Sequence, residues 1–491
     1  MNVEVEIISK EIIKPSSPTP KHLRRHQFSF LDQINRPIYT SLVLFYEFND
    51  KIPPTITEIS KHLKKSLSEI LTLFYPLAGR LRVENHFVDC NDEGIPYLEG
   101  LVKPNCQLCD FLNDPVPDDL QKFVPFEPHD HNEFPLGVQL NMFECGGFAI
   151  GLSVSHKLAD GLSMLMLTKT WAAISRGEYD NLEAKIEHPE FVSATLFPPK
   201  EITRYYSHAG ITKNKVTKRF VFDASAIEDL RVKYTGLENN EKRPSRVETL
   251  SAFIWRRFVE ATKGDPDQNI DDKNKLHMVI QTVNLRPRID PPLPQNSFGN
   301  ICHFFMISSS GDDDYDDEDE ESCHGMVRRV REEISKIDKD YVKRLQQGDE
   351  HFKFMNRLSQ SSIRSGGKVV TSYFSSLCRF PLYDMDFGWG RPAWVGIQPL
   401  PLNNLIVFVD TKETGGIEAY VTLADQHVMA KFESDPFLQR RVHKGRFDTA
   451  VSSLACQPAQ FNQVAKFHSQ DQSSVIRKPI QIKPLKLGSR L

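Results

Sequence analysis

The stretch Ser153-Val154-Ser155-His156-Lys157-Leu158-Ala159-Asp160-Gly161 constrains this chain more than any other. An apolar run, Phe148-Ala149-Ile150-Gly151-Leu152, leads into it and reads as a buried strand. The strand ends on a histidine. Asp160-Gly161 then turns the chain into Leu162 to Ile174, a strongly apolar segment predicted to be helical. A histidine at a strand end is well placed for general-base work, because its ordinary pKa of roughly 6.5 leaves it largely neutral near pH 7. Taken alone, His-x-x-x-Asp-Gly is also the trace that a hydrogen-bonded core histidine leaves. The feature that decides between the two readings lies far downstream, at Tyr383-Asp384-Met385-Asp386-Phe387-Gly388-Trp389-Gly390-Arg391-Pro392.

The chain is long enough for two sizeable cores, with 491 residues, 40% of them hydrophobic and 26% charged. A net charge of −4 implies no bulk attraction to nucleic acid or membrane. No apolar run approaches the roughly 18 residues that cross a bilayer. Met1 to Lys14 alternates apolar and charged residues, lacks the apolar block of a signal peptide, and reads as an edge strand. Cys106 and Cys109 alone are spaced Cys-x-x-Cys, and no second pair completes a zinc site, so no metal is expected. Asp110-Phe111-Leu112 follows them as a loop running into a helix, and reduced thiols of a cytosolic protein are expected.

The first half reads as strands mixed with helices. Ser41 to Phe48 is predicted as a strand. Ile56 to Leu73 is predicted as a helix from Ile59, Leu63, Leu67, Ile70, Leu71 and Phe74, with Thr55 or Thr57 as its N-cap. From Gly177 to Lys218 the pattern weakens into a long connection. Order returns with a strand at Lys218 to Asp223, helices at Ala224–Tyr234 and Ser245–Thr262, and strands at His277–Arg286 and Ile301–Ser308. The division predicted is residues 1–190, a crossover at 191–217, a second unit at 218–437 with an acidic loop at 311–322, and a basic tail at 438–491. The acidic loop lacks the alternating oxygen ligands and placed glycine of a calcium loop. The tail carries ten basic and two acidic residues without apolar periodicity, and is expected to lie outside the core fold. His129-Asp130-His131, between Pro128 and Pro135, reads as surface.

Asp386-Phe387-Gly388 has no kinase companions, since both a glycine-rich loop and a His-Arg-Asp loop are absent. There is also no Gly-x-Ser-x-Gly elbow and no Walker A sequence. His156-x-x-x-Asp160-Gly161 together with Asp386-Phe387-Gly388-Trp389-Gly390 instead resembles the plant BAHD acyltransferases. Tyr75-Pro76-Leu77-Ala78-Gly79-Arg80-Leu81, Leu31-Asp32-Gln33, Asn284-Leu285-Arg286 and Ser297-Phe298-Gly299-Asn300 support the match, which runs from about residue 4 to about 437. The pattern is nearest to the branch of vinorine synthase and salutaridinol acetyltransferase.

The resemblance implies an α/β fold of two domains similar to chloramphenicol acetyltransferase. Each would be a mixed sheet with helices, with a substrate tunnel at their interface. It implies an acyl-CoA co-substrate, acetyl-CoA by branch, no permanently bound cofactor, a small-molecule alcohol acceptor, and a monomeric cytoplasmic enzyme. His156, Asp160 and Asp386 are the catalytic candidates. Arg286, Gly161, Gly388, Trp389 and Gly390 are candidates for structural support. Ser251, Gly299 and Asn300 are coenzyme A contacts by family position. Asp160 could orient His156 or pair with Arg286, and the family favours the second. Asp386 belongs to a tight turn locked by Trp389, for which a structural role is also the favoured reading. An acylsugar or amine acyltransferase with a longer donor, or a non-catalytic binding protein, are the alternatives.

Overall fold

The computed structural model describes residues 3–48, 54–104, 106–177, 188–201, 215–235, 242–263, 276–308, 323–364, 369–412 and 415–442. They form two six-stranded mixed sheets and a small three-stranded one, flanked by helices. The first sheet runs in the order Val5–Ile13, Ile95–Val102, Leu136–Met142, Phe148–Ser155, Tyr39–Tyr46, Trp394–Ile397. Only its second and third strands are parallel. The second sheet runs Cys302–Ser308, Leu276–Asn284, Val369–Ser376, Leu405–Asp410, Ile417–Leu423, Val216–Phe222. Val369–Ser376 is parallel to both of its neighbours. Among the described residues no helix is long and apolar enough to cross a membrane.

Burial explains which segments became which strands. Phe148–Ser155 is buried at every position, as a central strand covered on both faces must be. Val5–Ile13 lies at the sheet edge and is mostly exposed, and its Glu6, Lys10 and Glu11 discourage further pairing. Helix Ile56–Leu73 starts at Thr55, whose hydroxyl accepts from the Glu58 amide while the Glu58 carboxylate accepts from the Thr55 amide. Ser245 and Glu248 repeat that box at the start of Arg246–Thr262. Each cap is worth about 0.5–2 kcal/mol.

The two halves are interlocked. Trp394–Ile397, far downstream, pairs with Tyr39–Tyr46 and completes the first sheet. Trp394 stacks on Phe45 with ring centroids 5.4 Å apart. In return, Phe30 and Leu31 are buried in the second core. Residues 218–437 are therefore not self-contained, because an edge strand of the first sheet is drawn from them. Of the crossover, Ser193–Leu196 is a short helix, Phe197 is buried and its carbonyl accepts from the Phe30 amide, and residues 202–214 lie outside the described residues.

Two expectations are corrected here. The fold does not stop at Phe437: Leu438 is 1% exposed, Val442 packs against the second core, and Arg441 reaches Asp229 at 3.1 Å. Apolar side chains at 438 and 442 give helix Pro436–Gln439 a surface to bury. The rest of the tail and the acidic loop lie outside the described residues. Among the described cysteines six are free, but Cys109 is disulfide-bonded, so the thiols are not all reduced.

Candidate active site

The strand Phe148–Ser155 delivers His156 to its end, where the His156 amide donates to the Ile38 carbonyl at 2.8 Å. The chain turns there, and Asp160 caps helix Gly161–Ser175 by accepting from the Ser163 amide at 2.9 Å. His156 lines a cavity of about 960 Å³ whose walls come from both sheets. Ile34 to Ile38 and Thr40 supply one side, Ile280, Thr282, Phe374 and Leu405 another.

One ring nitrogen of His156 is engaged. Nδ1 lies 3.1 Å from Asn300 Oδ1. Asn300 Nδ2 donates to the Asp32 carboxylate at 2.8 Å and to the His156 carbonyl at 2.8 Å. Both of those partners only accept, so the amide orientation is fixed and Oδ1 must be the acceptor facing the ring. The proton then sits on Nδ1, leaving the lone pair on Nε2. Burial holds the imidazole below the usual histidine value, against smaller raising effects of Asp160 and Asn300. The ring is therefore neutral at pH 7, with Nε2 as a base.

Asp160 faces away from this ring. Its carboxylate takes Arg286 Nη1 at 2.8 Å and Nη2 at 3.2 Å, and the Ile301 amide at 3.1 Å. Arg286 is 2% exposed and spends its other donors on the Ser297 and Gly299 carbonyls and Ser163 Oγ. Burial would raise the Asp160 carboxyl, but the Arg286 guanidinium and two backbone amides outweigh it and keep the acid below its ordinary range. The lock fixes Ile301, hence the neighbouring Asn300, hence the tautomer of His156.

Asp386 is equally remote from the cavity. Its Oδ1 accepts from the Gly388 and Gly390 amides at 2.8 and 2.9 Å. Both glycines have positive φ, +108° and +92°, with open space where a Cβ would stand, so backbone conformation and not crowding selects them. Phe387 is fully buried with its edge on Trp171 at 4.8 Å, and Trp389 meets Phe148 at 5.5 Å. Ser175 Oγ donates to the Phe387 carbonyl, and the Arg176 guanidinium donates to the Asp386 carbonyl. The turn pins the downstream half to the C-terminal end of helix Gly161–Ser175.

Of the sequence-predicted residues, His156 and Gly161 lie on the cavity wall. Asp160 and Asp386, grouped with His156 as catalytic candidates, have no face on it: the Asp160 carboxylate is turned onto Arg286, and Asp386 Oδ1 onto the glycine amides. Gly161 is there for close approach: a Cβ would lie 2.8 Å from Leu377 Cδ2. Gly299 and Asn300 sit in the lock behind the wall, and Ser251 is fully buried on its helix, so none of the three reaches the cavity. His129 and His131, read as surface, both line the cavity: His129 is half-buried, while His131 is exposed as expected. Tyr39 holds their loop, its amide donating to the Pro128 carbonyl and its hydroxyl to the Phe134 carbonyl.

Sequence reasoning missed Asp32 as a site residue. Burial pushes its carboxyl up to about 6, opposed by hydrogen bonds from Ser29 and Asn300. Ser29-x-x-Asp32 is a capping box and was legible as one. Its link to Asn300, distant in sequence, was not. Buried Lys157 donates to the Asp32 and Gln33 carbonyls, and burial lowers its ammonium to about 7.

Comparison with known proteins identifies the family. The Transferase family model matches residues 3–438. The chain is 36% identical over 443 residues to stemmadenine O-acetyltransferase of Catharanthus roseus, covering 89% of this chain and 97% of the relative. It is 36% identical over 442 residues to limonoid 21-O-acetyltransferase of Melia azedarach, covering 88% and 97%. The crystal structure of vinorine synthase superposes with a TM-score of 0.75 at 32% identity, covering 90% of this chain and 99% of that one. A match over nearly the whole length, a shared two-sheet fold and a histidine on an interface cavity converge: the chain belongs to the Transferase family, the BAHD acyltransferases, and is an acyltransferase.

Proposed function

We propose that this enzyme transfers an acyl group, acetyl, from coenzyme A directly to a hydroxyl of a plant specialised metabolite, an alkaloid or terpenoid alcohol. His156 Nε2 is the general base. Acceptor and thioester occupy the cavity together. As the acceptor oxygen bonds to the thioester carbonyl carbon, its proton passes to Nε2. The tetrahedral intermediate then collapses, the carbon–sulfur bond breaks, and the imidazolium protonates the departing thiolate. Base catalysis of this kind contributes about 10²–10⁴-fold, with positioning and oxyanion stabilisation adding to it.

The observation that carries the reading is the fixed Asn300 amide. It commits Nδ1 as a donor and reserves Nε2, on a cavity-lining ring, for the substrate. The Asp32 carboxylate behind Asn300 favours the imidazolium as it forms, transmitted through the amide dipole. The O-acetyltransferase relatives support the donor and the oxygen nucleophile. The test is thiol release from acetyl-CoA with a panel of polycyclic alcohols, for the wild type and His156→Ala. Turnover should fall at least about 10²-fold with the fold retained. Near-normal turnover in a folded His156→Ala protein refutes the assignment.

A further inference from the structure

The second sheet turns one face to the cavity. Thr282, Ser375, Val407 and Tyr420 line it from four consecutive strands. Ser375 is paired with Val407 and Val407 with Tyr420, so they stand in one row across the sheet. The register pairs Gln281 with Phe374, which makes Thr282 and Ser375 the next neighbours on adjacent strands. The alternate residues Val279, Val283, Ile406 and Phe408 point the other way, into the second core. Thr282 and Ser375 are half-buried, and the surface they expose is therefore cavity surface.

The hydroxyls on the wall divide into two groups. Thr40 donates to the Val154 carbonyl, Ser41 shares a hydrogen bond with Ser153, Thr422 shares one with Thr217, Tyr420 donates to Glu418, and Tyr373 is hydrogen-bonded to Arg36. The hydroxyls of Thr282 and Ser375 bond to no described residue, and neither is sealed away from the cavity. Adjacent strands lie about 4.8 Å apart, so one oxygen placed between the two side chains can take a hydrogen bond from each. Two donors converging on one atom suit a carbonyl oxygen with its two lone pairs.

The pair also has a fixed place relative to the base. Asn284, two residues beyond Thr282, is paired with Cys302, close behind the Asn300 that holds His156. Leu377, two residues beyond Ser375, is the side chain that packs where a Cβ on Gly161 would stand. The hydroxyls are thus set back about 7 Å along the strands from the end of the sheet at which His156 is held. The floor they belong to is four strands, about 14 Å, across. A pantetheine arm is a single extended chain and fits a narrow channel. A floor this broad, with Ile280, Leu405 and Val407 on it, fits a ring system.

We propose that Thr282 and Ser375 are specificity-determining residues of the acceptor subsite: their hydroxyls together hold a carbonyl oxygen of a polycyclic acceptor while its reacting hydroxyl meets His156 Nε2, and so fix which hydroxyl is acylated. This rests on the acyltransferase reading above and adds to it a second oxygen function that a good acceptor carries.

The test measures binding separately from turnover. The probes are matched pairs of rigid polycyclic alcohols, each a keto-alcohol and the same alcohol with a methylene in place of the carbonyl, over a range of hydroxyl-to-carbonyl spacings. Calorimetric titration in the presence of coenzyme A is expected to show the wild type binding the ketone of the best-spaced pair at least tenfold more tightly than its methylene partner. Thr282→Val and Ser375→Ala should each weaken that ketone about two- to tenfold and leave the methylene partner unchanged, and the double variant should erase the preference. Thr282→Ser and Ser375→Thr, which keep the hydroxyls, should retain it. The KM for acetyl-CoA and the urea midpoint should stay at wild-type values, because neither hydroxyl bonds within the protein. Absence of a ketone preference in every pair, or a preference that survives the double variant, overturns the proposal. So does a rise in KM for acetyl-CoA alone, which would assign the hydroxyls to the pantetheine arm. An equal fall in kcat on both members of a pair, with affinities unchanged, overturns it too, by assigning them to the oxyanion. A ketone preference that is intact while no alcohol is acylated counts against the catalytic reading and not against this one.

Discussion

The Asp160–Arg286 lock predicts a specific thermodynamic signature. Asp160→Asn keeps the side-chain shape and a good helix cap, so it isolates the charge from the capping role. It leaves a buried guanidinium, 2% exposed, without its counter-ion. Stranding one member of a buried pair costs about 3–5 kcal/mol. Arg286→Met strands the carboxylate instead and also abandons the Ser297 and Gly299 carbonyls, for a loss at least as large. The double variant buries no unpaired charge and retains only the cost of the two orphaned carbonyls, about 1–3 kcal/mol each. The cycle should therefore be strongly non-additive, with a coupling near the upper end of about 0.5–3 kcal/mol. Urea unfolding followed by tryptophan fluorescence measures stability, and thiol release on the same samples measures turnover. Both should fall together in the single variants, because loss of the lock releases Ile301 and Asn300 and with them the orientation of His156. Additive effects, or an Asp160→Asn protein of full stability with its turnover abolished, would place the carboxylate on the imidazole and refute the argument.

Acid should unfold the protein steeply. Burial lowers His26 to about 4, His303 to about 3 and His351 to about 4, so the unfolded chain binds protons first as pH falls below about 6.5. Their stability is full above that value and is lost on the way down to the folded values. Asp32, raised to about 6, acts oppositely, contributing fully at low pH and losing its contribution as pH rises through 6. These three histidines outnumber the one opposing carboxyl, so stability should fall as pH drops from about 6 toward 4, and a flat limb in pH-dependent urea melts would contradict it. Gly388→Ala, at φ +108°, should cost about 1–2 kcal/mol and weaken the turn without touching the cavity, so a loss of turnover with an unchanged melting midpoint would speak against a structural turn. Leu438→Ala should cost about 2–5 kcal/mol in the same melts, and no change would return the end of the fold to Phe437.

What could be read in the sequence was what short range determines. The Thr55 cap, one of two candidates, the helix beginning at Ser245, the helical spacing of Ile59 to Leu71, and the apolar run into His156 all carry local periodicity or capping chemistry, and each was found close to its observed bounds. The strands Leu405–Asp410 and Ile417–Leu423 went unread, as did the helices between His324 and Arg364, because short apolar runs and loosely spaced faces do not separate strand from helix without knowing what covers them. The meeting of Asp32, Asn300 and His156 was invisible for another reason. No local rule couples a capping box near residue 30 to an amide at 300.

The contribution of Trp394–Ile397 to the first sheet has a consequence on the ribosome. Strand Tyr39–Tyr46 can pair with Phe148–Ser155 as soon as both are made, but its other edge stays bare until about 240 further residues have followed. At about 5–20 residues per second that wait is roughly 12–50 s. During it the nascent chain presents Leu42, Val43, Leu44, Phe45 and Tyr46 along an open strand edge, all of which are buried once the sheet is complete. Such an edge is a template for pairing with other chains. Yield in a heterologous host should therefore depend on how quickly translation crosses the middle of the message and on chaperones that shield a half-made sheet, while variants that slow synthesis between residues 155 and 394 should aggregate without altering the finished enzyme.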